Sequence, residues 1–157
     1  MDSSPAKSDS AVVIAPVVVS AAPFELDAVR FSERRRRGAG RFMDRSDIER
    51  RQPRTVSAIF RHLPGFRVVT SNTRSRIQGT RGVGCMTYFI DNSPYRPVLG
   101  TDIDDVLPVS QVAAIEVYTV ATTPAEYATA DRGLCSTVVI WTSARIDNRR
   151  RTSSRAP

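Results

Sequence analysis

Two cysteines are the side chains in this sequence with the most evident chemistry. Cys85 and Cys135 are its only cysteines, and two sulfur ligands without two further ligands do not make a zinc site. Each cysteine opens a predicted strand, so a disulfide across a sheet is geometrically reasonable. A pair of buried free thiols is the alternative, and the residues alone leave both open.

Four aspartates could offer oxygen ligands to a divalent cation. They are Asp91, Asp102, Asp104 and Asp105. Their spacing lacks the glycine and the distal glutamate of a calcium-binding loop. Carboxylates in the first turn of a helix, where the macrodipole favours negative charge, explain the acidic run more simply. We therefore predict no metal site.

The sequence does not indicate a catalytic centre either. His62 is the only histidine, and it lies near a predicted helix end, where a cation interacts favourably with the helix dipole. A nucleophilic triad would need further polar partners beside the histidine. Phosphate-binding loops, paired-glycine fingerprints and Gly-x-Ser-x-Gly are missing from the sequence. We expect no catalytic residues and no cofactor.

The chain carries a net charge of +7, almost all of it from arginine. The clusters are Arg34 to Arg37, then Arg50, Arg51 and Arg54, and finally Arg145, Arg149, Arg150 and Arg151. Such an excess attracts anionic surfaces, such as nucleic acid or the head groups of phospholipid and lipopolysaccharide. No apolar core follows residues 34–37, which excludes a twin-arginine export signal. The pattern there favours a solvated basic face.

Residues 1–22 are predicted to form a disordered or extended N-terminal arm. Residues 1–10 are rich in Ser, Asp, Ala and Pro, and residues 11–20 are extended by propensity because Val and Ile dominate. The apolar run is too short to span a bilayer as a helix. It also lacks the positive charges that precede a signal-peptide core, so no export signal is evident in the chain.

The rest of the chain predicts short helices and strands. The predicted helices are 24–37, a short helix capped by Asp44 or Ser46, a helix capped by Thr55 with Val56, Ile59, Phe60 and Leu63 on one face, and single turns at 102–106, 109–112 and 123–127. The predicted strands begin at Phe66 and span 85–91, 113–120 and 135–142, with a loop or irregular hairpin at 70–84. We expect Trp141 in the core. This order predicts an α/β (α+β) domain over 23–144, a small mixed β-sheet with short flanking helices, followed by a basic disordered tail at 145–157.

Several segments, in this order, resemble the plug domain of TonB-dependent outer-membrane receptors. They are Val17 to Ala21, FSERRRRGAGRFM at 31–43, DIERRQPRTVSAIFRHLPGFRVV at 47–69, CMTYFIDNSP at 85–94, DIDDVLPVSQVAAIEVYTVATTPAEYA at 102–128 and CSTVVIWT at 135–142. The arginine-rich turn is similar to that of a subgroup that often follows a carboxypeptidase-regulatory-like domain. One departure is Asn92, because family plugs often have Gly after the turn aspartate.

The resemblance implies a non-catalytic module that gates or binds ligand in outer-membrane nutrient uptake, located in the outer membrane or periplasm. Its partners would be an outer-membrane β-barrel, whose acidic wall groups could pair with residues 34–37, and a TonB-type energy-transducing protein. Val17, Val18 and Val19 resemble the extended segment that such a partner grips by strand addition. A plain edge strand is the alternative for these residues. No barrel strands follow Ala144, so we expect a fragment, a remnant or a stand-alone plug.

A second hypothesis is a basic cytoplasmic nucleic-acid-binding protein, which depends on the net charge and the arginine clusters. It predicts free thiols and a steep loss of affinity with salt. The plug hypothesis implies an oxidising compartment and therefore a Cys85–Cys135 disulfide.

Overall fold

The fold is described by a computed structural model over residues 23–81, 84–98, 101–128 and 134–143, with side chains from residue 30 onward. The arm residues Val17, Val18 and Val19 and the basic tail at 145–157 lie outside these ranges. None of the helices within them has the length and apolarity needed to cross a membrane.

In the described ranges, seven strands form two sheets. They are β1 (Arg41–Asp44), β2 (Phe66–Ser71), β3 (Arg74–Gly79), β4 (Met86–Ile90), β5 (Ser93–Tyr95), β6 (Val112–Tyr118) and β7 (Ser136–Thr142). The main sheet has five strands in the order β1-β6-β7-β4-β5, and β2 and β3 pair separately. Strands β4 and β7 run parallel, and the other pairs are antiparallel. The mixed sheet predicted from the sequence is confirmed, and β7 lies at its centre.

Helix α1 (Pro23–Arg37) precedes β1, and short helices connect the strands. The connecting helices are α2 (Arg45–Arg51), α3 (Val56–Ile59) and α4 (Ile103–Val106), with single 3-10 turns at Phe60–His62, Val109–Gln111 and Ala125–Tyr127. The face predicted for the helix capped by Thr55 is confirmed, because Val56, Ile59, Phe60 and Leu63 are all buried. The Thr55 hydroxyl accepts a hydrogen bond from the Ala58 N–H at 3.3 Å.

The segment at 70–84 is more regular than the sequence suggested. Residues 74–79 form β3, which pairs with β2 over six residue pairs in a hairpin. Asn72 makes the reversal with a φ of 55°, a left-handed conformation that asparagine tolerates better than most residues. The hairpin forms a second sheet instead of joining the main one, so the expectation of a single sheet was wrong in this respect.

The turn between β4 and β5 explains the asparagine that departs from the family pattern. Asp91 has a φ of 49° and Asn92 a φ of 68°. Two consecutive positive φ values are typical of the tight hairpin turn in which Asn and Gly are preferred. Asn92 therefore supplies the positive φ at the turn position where family plugs often have glycine. The strand β5 starts directly after it, at Ser93.

The main sheet has an apolar core on each face. On one face α2, α3, α4 and the β2–β3 hairpin contribute to a large cluster that includes Ile115 and Val117 of β6. On the other face Phe89, Tyr118, Tyr127, Val139 and Trp141 form a smaller, mostly aromatic cluster, against which Phe31 of α1 and Phe42 of β1 pack. Because the two faces differ, the alternating residues of β6 meet different surroundings.

The start of α2 is fixed by a capping box. The Asp44 carboxylate accepts a hydrogen bond from the Asp47 N–H at 2.9 Å, and the Asp47 carboxylate accepts one from the Asp44 N–H at 3.2 Å. Hydrogen bonds from the Ser46 hydroxyl, the Asp47 N–H and the Arg35 guanidinium hold the pKa of Asp44 well below its ordinary value. Of the two caps predicted from the sequence, Asp44 is therefore the one used.

Replacing Asp44 by alanine is expected to lower the free energy of unfolding by about 1 kcal/mol at pH 7, the usual value of a lost N-cap. Because the folded-state pKa is depressed, this contribution is present above the unfolded-state pKa of about 3.9 and is lost as the pH falls below it. Urea unfolding of both proteins at pH 7 and at pH 3 checks this. A difference that stays the same at both pH values would contradict it.

Candidate functional site: a buried arginine–carboxylate cluster under α1

Strand β6 places a carboxylate inside the smaller core. Ile115 and Val117 point to the large cluster, so the alternation of the strand directs Glu116 and Tyr118 to the opposite face. Glu116 is completely buried there. A buried ionised carboxylate is costly unless it is paired and hydrogen-bonded, so its partners decide whether the fold tolerates it.

Arg34, near the end of α1, is the cationic partner. Its Nε donates to Glu116 Oε2 at 2.8 Å and its Nη2 donates to Glu116 Oε1 at 2.7 Å. This two-bond geometry matches the planar guanidinium to the planar carboxylate. The contact joins residues 82 positions apart and attaches α1 to the centre of the sheet.

Two aromatic side chains complete the shell around Glu116. The Tyr118 hydroxyl donates to Oε2, and the Trp141 Nε1–H donates to Oε1 at 2.7 Å. The prediction that Trp141 lies in the core is confirmed, and its indole N–H has a partner. The guanidinium carbon of Arg34 also lies 5.4 Å from the ring centroid of Tyr127, within the range of a cation–π interaction.

Burial and hydrogen bonding in this cluster shift the pKa values of Arg34 and Tyr118. Burial acts to lower the pKa of Arg34, but the hydrogen bond and the charge of Glu116 outweigh it and raise that pKa above its ordinary value. Burial, followed by the hydrogen bond to Glu116, raises the pKa of Tyr118. Arg34 is therefore charged and Tyr118 is a neutral donor throughout the physiological range.

The cluster opens on one side to a surface groove of about 500 Å³. Arg34, Arg37, Tyr118 and Glu126 are among the residues that line it. Glu126 accepts a hydrogen bond from Arg34 Nη1 at 2.7 Å, and 41% of its side chain is exposed. Close by, a Cβ on Gly40 would lie 2.5 Å from the Tyr118 ring, so only glycine lets β1 pass that ring.

One sequence-based expectation was wrong here. Residues 34–37 were predicted to form a solvated basic face. Arg35, Arg36 and Arg37 are exposed, but Arg34 is 8% exposed and paired with Glu116. Its neighbour Arg35 pairs with Asp44 at the surface. The available signal was Glu116 itself, because a lone carboxylate inside an otherwise apolar strand demands a buried partner.

The other residues singled out from the sequence have structural partners. Cys85 and Cys135 form a disulfide bond that joins the starts of β4 and β7. The Asp91 carboxylate accepts hydrogen bonds from the N–H and the hydroxyl of Thr142, at 2.8 and 2.6 Å. Asp104 accepts hydrogen bonds from the N–H and the hydroxyl of Ser57.

The remaining residues singled out from the sequence are Asp102, Asp105 and His62. Asp102 and Asp105 form the capping box of α4, as the helix-start explanation of the acidic run predicted. His62 is exposed at the end of its 3-10 turn. Across the ranges that the structure describes, no three His, Cys, Asp or Glu side chains come together in a way that could hold a metal ion.

The geometry of the Arg34–Glu116 cluster is better suited to anchoring helix α1 than to transferring protons. Four hydrogen bonds reach the Glu116 carboxylate, two from Arg34 and one each from Tyr118 and Trp141. These donors occupy the lone-pair directions that a substrate proton would need. The cluster therefore acts as a buried attachment point for α1.

Comparison with known proteins gives matches of fold. No protein-family model and no curated protein matches the chain. Among solved structures, the plug-domain region of the TonB-dependent receptor FpvA from P. aeruginosa, in an iron complex with a heterologous pyoverdine, matches with a TM-score of 0.51 and 20% identity. FpvAI in complex with pyocin S2 matches with a TM-score of 0.51 and 17% identity.

These matches cover most of this chain and little of the receptors. The two alignments cover 64% and 66% of this chain but only 13% and 14% of those chains. At such identities the likeness shows a shared fold. The chain therefore has a plug-like mixed α/β fold, and its solved neighbours are receptors.

Proposed function

We propose that this chain is a non-catalytic plug domain of a TonB-dependent receptor, acting in the gating or ligand-binding step of outer-membrane uptake. The observation that carries the proposal is the likeness of its fold to the plug-domain region of FpvA. The order of the sequence segments from residue 31 to residue 142 supports the same family. In this proposal residues 23–144 are the plug-like domain, preceded by the arm at 1–22 and followed by the tail at 145–157.

The disulfide between Cys85 and Cys135 supports a location in the outer membrane or periplasm. Disulfides persist in oxidising compartments and are rare in the cytosol of most organisms. A basic nucleic-acid-binding protein of the cytoplasm, the other function that the net charge of +7 favours, would keep these thiols reduced. The disulfide therefore favours the receptor-plug proposal over a cytoplasmic nucleic-acid-binding protein.

Two partners follow from the proposal. A β-barrel would surround the domain, and a TonB-type energy-transducing protein would bind the arm at Val17, Val18 and Val19. Strand addition suits this segment because backbone hydrogen bonds supply the affinity and demand little of the side chains. The proposal needs no cofactor and no metal.

Changing Val18 to proline is expected to weaken binding of a TonB-type periplasmic domain at least about tenfold. Proline removes one backbone N–H from the added strand, so one hydrogen bond between the two strands cannot form. A tenfold change in affinity corresponds to about 1.4 kcal/mol. Isothermal titration of the full chain with the purified domain from the same organism measures the effect.

Val18→Thr is the matched control, because threonine is β-branched and keeps the backbone N–H. We expect it to bind within about twofold of the unaltered chain. Equal binding by the proline and threonine variants would exclude strand addition at these residues. No binding by the unaltered chain would remove the TonB-type partner from the proposal.

A further inference from the structure

The shell around Arg34 has the features of a binding site for a planar cation. A carboxylate meets the guanidinium with two hydrogen bonds, and the ring of Tyr127 lies against it. A second carboxylate, Glu126, contacts the remaining nitrogen. Bidentate pairing combined with an aromatic wall favours guanidinium over ammonium, because lysine is a compact point charge without the planar fork.

The acceptor does not depend on Arg34 for its orientation. Glu116 is held by Tyr118 of its own strand and by Trp141 of β7, and β6 and β7 pair along most of their length. The carboxylate would keep its position if Arg34 left. Removal of Arg34 would then leave a preformed, charged pocket and not a collapsed core.

The other attachments of α1 in the described part of the chain are weak. Arg35 forms ion pairs with Asp44 and Asp47, but it is 45% exposed, and exposed pairs contribute little to stability. Phe31 makes one edge-to-face contact with Phe42. Among residues 30–37, Arg34 is therefore the main attachment of this helix, and the groove beside it gives a small ligand a route to the same place.

We propose that Glu116, Tyr118, Trp141, Tyr127 and Glu126 form a guanidinium-binding site whose ligand in this structure is the chain's own Arg34. Helix α1 is then a replaceable cover, in which Arg34 is the one buried side chain among residues 30–37. A small guanidinium compound, entering by the groove beside Arg34, occupies the site when α1 is displaced. This inference is independent of whether the chain is a receptor plug.

The test removes the internal ligand and supplies a free one. Arg34→Ala is expected to lower the Tm by on the order of 10 °C, because it leaves a buried carboxylate without its cation. Ethylguanidinium at roughly 20 mM should restore at least about half of that loss, whereas ethylammonium at the same concentration should not. The fluorescence of Trp141, the only tryptophan, should change saturably with ethylguanidinium alone.

Two variants serve as controls. Arg37→Ala removes another arginine that lines the groove but leaves Arg34 in place, so its Tm should not respond to ethylguanidinium. The double variant Arg34→Ala/Glu116→Gln should lose the response. Equal responses to the two cations, or a response that survives in the double variant, would overturn the proposal.

A measurement on the unaltered protein covers the case in which Arg34→Ala does not fold. Ethylguanidinium at about 100 mM must compete with the tethered Arg34, whose effective concentration is in the millimolar range. It should accelerate amide hydrogen exchange in residues 30–37 by about twofold or more over ethylammonium, without changing exchange in β7. Equal exchange in the two salts, or faster exchange in β7 as well, would count against a replaceable cover.

Discussion

Replacing Glu116 by glutamine is expected to lower the free energy of unfolding by about 3 kcal/mol or more. The carboxylate is completely buried and accepts two hydrogen bonds from Arg34. Glutamine keeps the shape but loses the charge, and its amide NH₂ faces donors where the carboxylate had an acceptor. Removing one partner of a buried ion pair costs about 3–5 kcal/mol, because the other charge stays buried without compensation. Urea unfolding followed by Trp141 fluorescence measures the loss.

Glu126→Gln is the matched control for this prediction. Glu126 also contacts Arg34, at the same 2.7 Å as Glu116 Oε1, but its side chain is 41% exposed. We expect this variant to lose less than about 1 kcal/mol, the usual range for exposed pairs. If the two glutamine variants lose similar amounts, burial does not set the strength of the cluster and our account of it is wrong.

The parts of the fold that could be predicted from the sequence are those with short-range causes. Thr55 followed by apolar residues at helical spacing predicted α3 and its buried face, because caps and periodicity act within one or two turns. The strand-favouring segment at 135–142, with four consecutive apolar residues at 138–141, predicted a strand, and every residue of β7 is buried.

The parts that could not be predicted depend on contacts between distant residues. The start of β2 was predicted, but its regular pairing with β3 as a separate sheet was not. Arginines on the exposed face of this hairpin, at Arg67, Arg74 and Arg76, obscure the apolar alternation that identifies a strand. Arg34 and its three neighbours have the same side chain, and the sequence does not show which of them turns inward. That choice follows from Glu116, which lies 82 residues further along the chain.

Local sequence patterns and long-range contacts also give different information about function. The ordered sequence segments resemble those of receptor plugs, and the fold is similar to part of FpvA, so both support the proposed function by describing the scaffold. The cluster of Arg34 and Glu116 is visible only in the folded chain, and it joins α1 to the sheet. A pull on the arm, as the proposed function requires, would reach the sheet through α1 and therefore load this cluster.

Removing the disulfide is the other change with a large expected effect. Cys85 and Cys135 are separated by 50 residues, and closing a loop of that length restricts the unfolded chain by about 4 kcal/mol on the chain-entropy model. The double variant Cys85→Ser/Cys135→Ser should therefore lose about that much free energy of unfolding. Its urea m-value should rise, because an unfolded chain without the cross-link exposes more surface.

Reduction supplies the control for this prediction, since dithiothreitol should destabilise the unaltered protein by a similar amount and leave the double variant unchanged. A loss below about 1 kcal/mol would mean that strain in the folded protein offsets the entropic stabilisation from closing the loop.

The redox state of the same two cysteines also tests the proposed location of the protein. Thiol alkylation of the denatured protein taken from its source cells should label neither cysteine, because the proposed location is oxidising. Labelling of both would contradict that location and favour the cytoplasmic nucleic-acid-binding alternative.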